Sequence, residues 1–346
     1  MLLLALESSC DETSAAVVRD GRAILSNIVA SQIDVHAEYG GVVPELASRK
    51  HLEAVGPVID QALSQAGVKA ADLEGVCVTR GPGLIGALLV GLSAAKAFAF
   101  ALGIPWVGLH HMEGHILAPL LEQDVPFPFL ALAVSGAHTH IYRVEDIGRY
   151  TTLGRTLDDA AGEAYDKVAK LLGLGYPGGA VIERLAATSS AQGLHFPRPL
   201  LNQDNFDFSF SGIKTAVLNH VRALPAAPDA AEMGRICAAF QEAVTDVLTR
   251  KAMRALEETG LTRLVVGGGV ACNRGLQRKL SAAAEKRGVT VHFPSPKLCG
   301  DNGAMLAVAG DFYLRQGIRD GWDVNAVARW KMDDVRSAPG REILGL

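Results

Sequence analysis

Three histidines lie within six residues of the chain, in the segment HHMEGH from 110 to 115. Because His111 and His115 are four residues apart, a helix would place both side chains on one face, within reach of a single metal ion. Zinc peptidases use the pattern H-E-x-x-H, in which a glutamate directly follows the first histidine and acts as general base. Here Glu113 comes two positions after His111, about 200° around the helix and facing away from any metal. The spacing favours either a metal site that is not a peptidase or a histidine pair that is buried or solvated at a helix start.

The overall composition limits the class of protein. At 346 residues the chain is long for one compact domain, and 49% hydrophobic residues are enough to fill two cores. The net charge of −4 gives no electrostatic argument for nucleic acid. A local basic patch or a partner would therefore have to bind the phosphates of any RNA substrate.

Cysteine usage and the first residues predict a cytoplasmic protein. The five cysteines form no C-x-x-C pair, which is typical of reduced thiols in the cytosol. The opening MLLLALESSC is too short for a signal peptide and lacks its basic flank. No apolar run is expected to reach the length of a membrane span, so no membrane association is predicted.

Each half of the chain predicts the same succession of elements, a three-strand meander followed by helix, strand, helix and strand. The meanders are LLLALESSCDETSAAVVRDGRAILSNIVA in the first half and PFLALAVSGAHTHIYRV with GRYTTLGRTL in the second. The hairpin turns SSCDET and VSGAHT, and a glycine turn at 267–269, would present N–H groups to phosphate. This is the α/β layout of the actin, Hsp70 and sugar-kinase (ASKHA) superfamily, in which two duplicated lobes surround a nucleotide cleft.

The duplication also predicts the domain boundaries. Residues 1–128 would form the N-terminal lobe, with the HHMEGH motif, and residues 129–346 the C-terminal lobe. A segment at about 189–231 interrupts the second lobe, and its sequence HFPRPLLNQDNFDFSFSGIKTAV is rich in proline, asparagine and aromatic residues. It predicts an ordered loop that either packs its phenylalanines beneath the cleft or carries function.

Seven motifs resemble those of one family, in the same order. They are HHMEGH, VSGAHT, DDAAGEAYDK, YPGGAVIE, FDFSFSGIKT, GGGVACN and CGDNGAM. The opening ESSCDETSAAVV and the run YGGVVPELASRKH are similar as well, so the resemblance to the bacterial TsaD (formerly Gcp) family covers nearly the whole chain.

The resemblance implies a metal-dependent transferase of the ASKHA superfamily. Such an enzyme transfers threonylcarbamoyl from threonylcarbamoyl-AMP to the exocyclic amine of the adenosine 3′-adjacent to the anticodon, in tRNAs that read codons beginning with adenine. The implied partners are the tRNA anticodon stem-loop, a paralogous TsaB subunit, a TsaE ATPase and a TsaC-type synthase that makes the adenylate. An ATP- or AMP-like nucleotide would occupy the cleft.

The resemblance assigns the metal ligands to His111, His115 and Asp301, the last within CGDNGAM. Two histidines and one carboxylate leave an open coordination position and suit Fe(II), one per subunit, or Zn(II). From the residues alone, Asp301 could instead cap the helix that follows it. His110 lies outside the ligand pattern and is expected to be structural or to support a ligand.

The resemblance also implies which residues contact the substrate. These are Ala133, Val134, Ser135, Gly136, Ala137, Asp166, Gly179, Glu183 and Asn273. The hairpin would present N–H groups to phosphate, while Asp166 and Glu183 would hold ribose hydroxyls. The alternatives are a surface pair of Asp166 with a lysine, a helix-start turn at Gly179 and an N-cap at Asn273.

The candidate catalytic residues are Asp11, Glu12 and His138. One of the two acids in the first hairpin would accept the amine proton, or both would only solvate a turn. The second hairpin departs from the family's S-G-G-H-T by Ala137, which would strain the turn by roughly 1 kcal/mol or more if that position needs a positive φ.

Two other functions remain as alternatives. A metallopeptidase is suggested by HMEGH alone, but Glu113 is misplaced for it. An ATP-dependent sugar or acetate kinase, or an actin-like ATPase, is suggested by the duplicated fold alone and leaves the metal triad unexplained.

Overall fold

A computed structural model describes residues 1–335 and 341–343 of the chain. The strands in chain order are β1 (Leu2–Glu7), β2 (Glu12–Arg19), β3 (Ala23–Ser31), β4 (Gly75–Gly81), β5 (Trp106–His110), β6 (Phe129–Val134), β7 (Thr139–Asp146), β8 (Arg149–Arg155), β9 (Arg263–Gly267), β10 (Thr290–His292), β11 (Ile318–Asp320) and β12 (Arg341–Ile343). The helices are α1 (Ile33–Ala37), α2 (Pro44–Ala66), α3 (Ile85–Leu102), α4 (His111–Leu117), α5 (Ala161–Leu171), α6 (Gly178–Ala187), α7 (Ser211–Ala223), α8 (Ala230–Thr259), α9 (Arg274–Glu285), α10 (Pro296–Cys299) and α11 (Ala307–Arg315).

The first compact unit, unit 1, contains a five-stranded sheet in the order β3-β2-β1-β4-β5. The meander pairs antiparallel, whereas β4 pairs parallel with both β1 and β5. Strand β1 reads LLLALE and is buried along its whole length, because helices cover both faces of the sheet. Leu2, Leu4 and Leu6 share a core with α2 and α3. On the other face Leu3 lies next to Gly310 of α11.

The second compact unit, unit 2, repeats this arrangement. Its sheet has the order β8-β7-β6-β9-β10, which is the order of the first sheet with every strand number raised by five. Strands β6 and β7 pair antiparallel, and β6 pairs parallel with β9. The predicted internal duplication is therefore confirmed. The long helix α8 lies at the centre of this unit, with buried residues along most of its length.

The boundaries of the units differ from the predicted ones. Unit 1 consists of residues 1–126, 145–151 and the described residues from 294 onward, and unit 2 of residues 127–144 and 152–293. The predicted division after residue 128 lies close to the first change of unit, but the C-terminal segment groups with unit 1. The physical reason is α11, where Gly310 approaches Cys77 of β4 so closely that an added Cβ would lie 2.7 Å from its sulfur.

Two further expectations need correction. The segment predicted as a loop contains α7, which begins at Ser211 and buries Ile213 and Val217, so its end is helical. By length and composition alone, the 18-residue helix α3 is apolar enough to cross a membrane, so the expectation that no run reaches that length was wrong. In the structure α3 packs in unit 1, where Leu92, Ala95 and Ala99 belong to the core.

A candidate metal centre and the residues around it

Helix α4 carries the two candidate histidine ligands and is wholly buried. His110 begins it by accepting a hydrogen bond from Met112 N through Nδ1 at 3.1 Å, while its Nε2 lies 3.0 Å from the carbonyl oxygen of Trp330. The N-cap bond satisfies an N–H that the first helical turn leaves unpaired. The structural interpretation of His110 is therefore confirmed.

The structure brings the three candidate ligands together. One ligand atom each from His111, His115 and Asp301 lies within 4.8 Å of the others. Asp301 Oδ1 lies 2.9 Å from His115 Nε2 and 3.7 Å from His111 Nε2. The rings of the two histidines are 4.7 Å apart at 86°, so their nitrogens converge on the carboxylate. Two imidazoles and one carboxylate around a common point fit a transition-metal ion.

A buried carboxylate behind His111 fixes the orientation of that ring. Glu7 Oε2 lies 3.2 Å from His111 Nδ1, and Ser9 Oγ lies 3.1 Å from the same nitrogen. Thr79 donates its hydroxyl to the same carboxylate oxygen. An ionised carboxylate can only accept, so Nδ1 keeps a proton, and Nε2 is the nitrogen that would bind a metal in exchange for its own proton.

The electrostatics of this pair agree with its geometry. Burial opposes the charged form of His111, but Asp301 and Glu7 together raise its pKa to about 9. Burial likewise opposes the charged form of Glu7, yet His111 holds its pKa below the usual value. The site is therefore rich in negative charge and attracts a cation. Sequence reasoning missed Glu7, although a glutamate that ends a wholly buried strand already signals a charge in need of a partner.

The loop that supplies Asp301 is held by its neighbour. Asn302 is buried and accepts a hydrogen bond from Met305 N at 3.1 Å through Oδ1, while its Nδ2 donates to Gly300 O at 2.8 Å. Asn302 therefore makes the capping bond considered for Asp301, and the carboxylate of Asp301 contacts His115. This favours the ligand interpretation over the capping one.

Glu113 faces away from the candidate ligands, as its position predicted. Its side chain is fully buried, and Oε1 accepts hydrogen bonds from Tyr150 at 2.8 Å and from Tyr313 at 2.7 Å. Burial and the Glu113 charge raise the pKa of Tyr150 well above its usual value, so the phenol stays protonated and donates. A general base of the peptidase type is thus excluded at this position.

The first hairpin places two candidate catalytic acids in unit 1, close to Asp301. Burial, followed by the charges of Asp301 and Asp11, raises the pKa of Glu12 to about 10. His51 holds the turn from behind, with Nε2 3.0 Å from Cys10 O and Nδ1 2.7 Å from Thr13 Oγ1. The family-like run that ends at His51 gave no indication of this supporting role.

The second hairpin, in unit 2, contains the residues that the sequence predicts to contact phosphate. Ser135 closes the turn by donating its N–H to His138 O at 2.8 Å and accepting from His138 N at 3.2 Å through Oγ. Gly162, at the start of α5, donates to Ser135 O, and a Cβ there would lie 2.6 Å from that oxygen. Gly136 and Ala137 are exposed, and their backbone N–H groups donate to none of the described residues.

Ala137 does not strain this turn. The described non-glycine residues with positive φ are Asp20, Gln192 and Leu200. Ala137 is not among them, so replacing the glycine of the family pattern costs no left-handed backbone conformation. The concern raised by the sequence does not apply.

The remaining predicted substrate residues lie around the starts of α6 and α9 in unit 2. Asp166 accepts a hydrogen bond from Gly178 N, at the start of α6, at 2.8 Å. Gly179 comes next in the chain, and a Cβ added there would have no atom within 4 Å. Glu183 accepts from Arg274 N at 2.7 Å. Asn273 caps α9 through Leu276 N, so its N-cap alternative is confirmed as one of its roles.

Ten of the predicted site residues thus lie in unit 2, at 133–138, 166, 179, 183 and 273, and five in unit 1, at 11, 12, 111, 115 and 301. In unit 2 they gather around two features, the β6–β7 turn and the starts of α6 and α9. In unit 1 they gather around the candidate metal centre.

Solved structures define the class of fold. Full-length HypF in its phosphate- and nucleotide-bound form aligns with 91% of this chain and 46% of its own, with a TM-score of 0.61 at 15% identity. The activator of 2-hydroxyisocaproyl-CoA dehydratase from Clostridium difficile with bound ADPNP aligns with 91% and 96%, with a TM-score of 0.54 at 13% identity. The chain has the duplicated, ASKHA-like α/β fold that the sequence predicted.

The sequence comparisons identify the family. The family model for tRNA N6-adenosine threonylcarbamoyltransferase matches residues 23–308. A protein of that name from Syntrophotalea carbinolica is 66% identical over 335 residues, which are 97% of this chain and 98% of the relative. Another, from Geotalea uraniireducens, is 61% identical over 337 residues, with 97% and 98% covered. This chain belongs to the tRNA N6-adenosine threonylcarbamoyltransferase family and is a transferase that acts on tRNA.

Proposed function

We propose that this chain transfers the threonylcarbamoyl group of threonylcarbamoyl-AMP to N6 of the adenosine 3′-adjacent to the anticodon and releases AMP. The tRNAs concerned are those that read codons beginning with adenine. The observation that carries the proposal is the cluster of two buried histidines, His111 and His115, with Asp301 in a chain of this family.

The residues of the candidate centre fit one metal ion per subunit. His111, His115 and Asp301 would hold Fe(II), or Zn(II) as the second choice, since both metals accept two imidazoles and a carboxylate. When bound, such an ion supplies electrostatic stabilisation of negative charge on a reacting oxygen. Glu7 and Ser9 keep the ring of His111 in place, so that its Nε2 stays directed at Asp301.

The proposed reaction depends mainly on the correct positioning of the acceptor amine and the donor. The acceptor amine is a weak nucleophile because its lone pair is delocalised into the purine, whereas the donor is an already activated mixed anhydride. Correct orientation of two bound groups removes much of the entropic barrier. Asp11, Glu12 and His138 are the groups proposed to hold or accept the proton that the amine loses. Glu12 could accept that proton only after losing its own, because its pKa is raised to about 10.

Unit 2 is proposed to bind the nucleotide part of the donor. The free N–H groups of Gly136 and Ala137 form an anion-binding turn together with Ala133, Val134 and Ser135. Asp166 and Glu183 each accept a backbone N–H at a helix start, and their carboxylates would also accept from ribose hydroxyls. Gly179 leaves room for the ligand, and Asn273 lies beside it at the start of α9.

The proposed partners are the tRNA anticodon stem-loop, a paralogous TsaB subunit, a TsaE ATPase and a TsaC-type synthase, in the cytoplasm. Support for a protein partner comes from the outer face of α2 and α3. Leu52, Ile85 and Leu89 are 67%, 49% and 40% exposed there, and Ile85 and Leu89 are adjacent on one helix face. Exposed apolar residues on an apolar helix are typical of an interface.

Reconstitution tests the proposed function. The full chain, its partners, ATP, threonine, bicarbonate and unmodified tRNA are combined, and digested tRNA is analysed for threonylcarbamoyladenosine. His111→Ala, His115→Ala and Asp301→Ala should each lose metal and product while the fold, followed by circular dichroism, stays intact. Full metal occupancy in the His115→Ala protein would contradict the ligand assignment, and absence of product from the wild-type mixture would contradict the reaction.

A further inference from the structure

The cations that the sequence offers most readily for tRNA are already paired. Two of them lie in α2, one in the loop before α7 and one in α7 itself, and each has an acid within 4 Å. The pairs are Arg49–Glu45, Lys50–Glu53, Arg198–Asp246 and Lys214–Asp159. Because an RNA phosphate would have to compete with these carboxylates, a phosphate-binding surface has to be sought among other cations.

A cavity in unit 2 has a different charge environment. It measures about 260 Å³ and is open to solvent between α8, α9 and the segment around Leu201. Four of its lining residues are cations, namely Arg250, Lys251, Arg254 and Arg287. One lining residue, Glu257, is an acid. In a chain of net charge −4, this is a strong local excess of positive charge.

Two of these cations are held in place by oxygens of the chain. Lys251 is 1% exposed and donates to Asn205 O at 2.6 Å and to Asn205 Oδ1 at 3.2 Å. Arg254 donates to Gln203 O at 2.7 Å and pairs with the carboxylate of Glu258 at 3.4 Å. Burial, and then the neighbouring Arg254, lower the pKa of Lys251 to about 8, while the charge of Asp207 acts in the opposite direction. An anion in the cavity would add to the stabilisation that Asp207 gives this buried charge.

The two exposed cations of the cavity, Arg250 and Arg287, are available to bind an anion. Arg250 is exposed on α8 and has no carboxylate partner among the described residues, and Arg287, past the end of α9, donates to Ala283 O alone. Thr249, 4% exposed in the same wall, has a buried hydroxyl that bonds to none of the described residues. A hydroxyl on a helix normally returns to a carbonyl of the preceding turn, as Thr245 does to Gln241 O.

We propose that this cavity is a binding site for a backbone phosphate of the tRNA, held by Arg250 and Arg287 at its mouth and by Lys251 and Arg254 at its base. Guanidinium groups suit phosphate because their planar N–H fork matches two phosphate oxygens. The assignment of RNA as the source of the phosphate rests on the proposed function.

The surroundings favour RNA over a free nucleotide. Arg274 and Arg278 are exposed one turn apart on α9, and Lys286 is exposed at its C-terminal end. None of the three side chains has a carboxylate partner in the described part of the chain. With Arg250 and Arg287 they spread cations over roughly 20 Å, since thirteen residues at about 1.5 Å each separate Arg274 from Arg287, and the exposed acid Glu285 lies among them. A polyanion is long enough to contact cations that far apart, whereas a single phosphate is not.

The test compares two double variants of the full chain in the reconstituted complex. Arg250→Gln/Arg287→Gln removes the two positive charges at the mouth of the cavity and leaves Lys251 and Arg254 unchanged. Arg19→Gln/Arg222→Gln removes the same charge from two other exposed arginines without carboxylate partners among the described residues. Binding of labelled tRNA is measured by titration over a range of salt, together with binding of orthophosphate and AMP.

Each phosphate contact contributes about 0.7 to 0.9 to the slope of log affinity against log salt. Loss of this one phosphate contact should therefore lower the slope by about 0.7 to 0.9, and tRNA affinity at about 0.15 M salt by roughly 4- to 6-fold. The Arg19/Arg222 variant should keep the wild-type slope. Because no turnover is measured, failure of the proposed reaction would leave this test intact.

Three results would overturn the proposal. They are unchanged tRNA affinity in the Arg250/Arg287 variant, an equal loss in the Arg19/Arg222 variant, and loss of orthophosphate or AMP binding with unchanged tRNA binding. The last would show that the cavity takes a small phosphate ligand instead of RNA.

Discussion

Replacement of Glu7 by glutamine should weaken metal binding through the ring of His111. Glu7 is 1% exposed and contacts His111 Nδ1 at 3.2 Å on the side away from Asp301. The carboxylate accepts from Nδ1–H and so leaves Nε2 free to bind a metal. A glutamine amide that turns its NH₂ toward Nδ1 would donate instead, and the ring proton would then move to Nε2, the nitrogen that faces Asp301.

The expected loss follows from the role of a carboxylate behind a histidine ligand. Such groups typically contribute 10- to 100-fold to metal affinity, or about 1.4 to 2.8 kcal/mol. The upper part of this range is expected for Glu7→Gln, because the change removes a buried negative charge and also favours the wrong tautomer.

Glu113→Gln is a matched control for this prediction. Glu113 is equally buried, but its carboxylate accepts from Tyr150 and Tyr313 on the opposite side of α4. Glutamine keeps a carbonyl acceptor for the two phenols, so a stability loss of about 1 to 3 kcal/mol is expected with no change in metal affinity and most activity retained. The assay is metal competition against a chelator, with bound metal determined by mass spectrometry. Equal metal affinity in Glu7→Gln and wild type, or an equal loss in both variants, would refute the reasoning.

Three further outcomes are expected. Asn273→Ala should lower stability by about 0.5 to 2 kcal/mol in chemical denaturation, because it removes the cap of α9. It should also raise the KM for the adenylate, and an unchanged KM would remove Asn273 from the nucleotide site. Burial lowers the pKa of His51 from its usual 6.5, so the folded state binds this proton less readily than the unfolded chain. Stability should therefore fall as pH drops below about 6.5, and a His51→Asn variant should show a smaller fall in melting temperature between about pH 7.5 and 5.5. Leu89→Asp, on the exposed face of α3, should leave the melting temperature of the isolated chain unchanged and abolish co-elution with the paralogous partner in size-exclusion chromatography.

The sequence predicted those features that depend on local pattern. Periodicity was enough for the duplicated order of strands, because each strand is a short apolar run with turn residues on both sides. Helical spacing was enough to place Glu113 opposite the histidines. The N-cap alternative at Asn273 was also visible, since asparagine before a helix commonly caps it.

Features that depend on contacts between distant segments could not be predicted in this way. The bond between Asp301 and His115 joins residues 186 positions apart, and only the resemblance to a family connected them. The roles of Glu7 and His51 depend on which side chains face them across the fold. The pairing of Arg198 with Asp246 could not be predicted either, because the formal charge of a residue says nothing about its neighbours in the fold.

The discontinuity of unit 1 has a consequence for biosynthesis. Residues 1–126 leave the ribosome long before α11, which covers the face of β1 and β4 at Leu3 and Cys77. Until residues 307–315 have been translated, this apolar face stays uncovered on the nascent chain. His111 and His115 likewise lack their third candidate ligand until Asp301 has been translated. Unit 2 is complete earlier and can fold first. A stalled or truncated chain would thus display an intact second unit beside an open, aggregation-prone first one, and would lack the complete set of metal ligands.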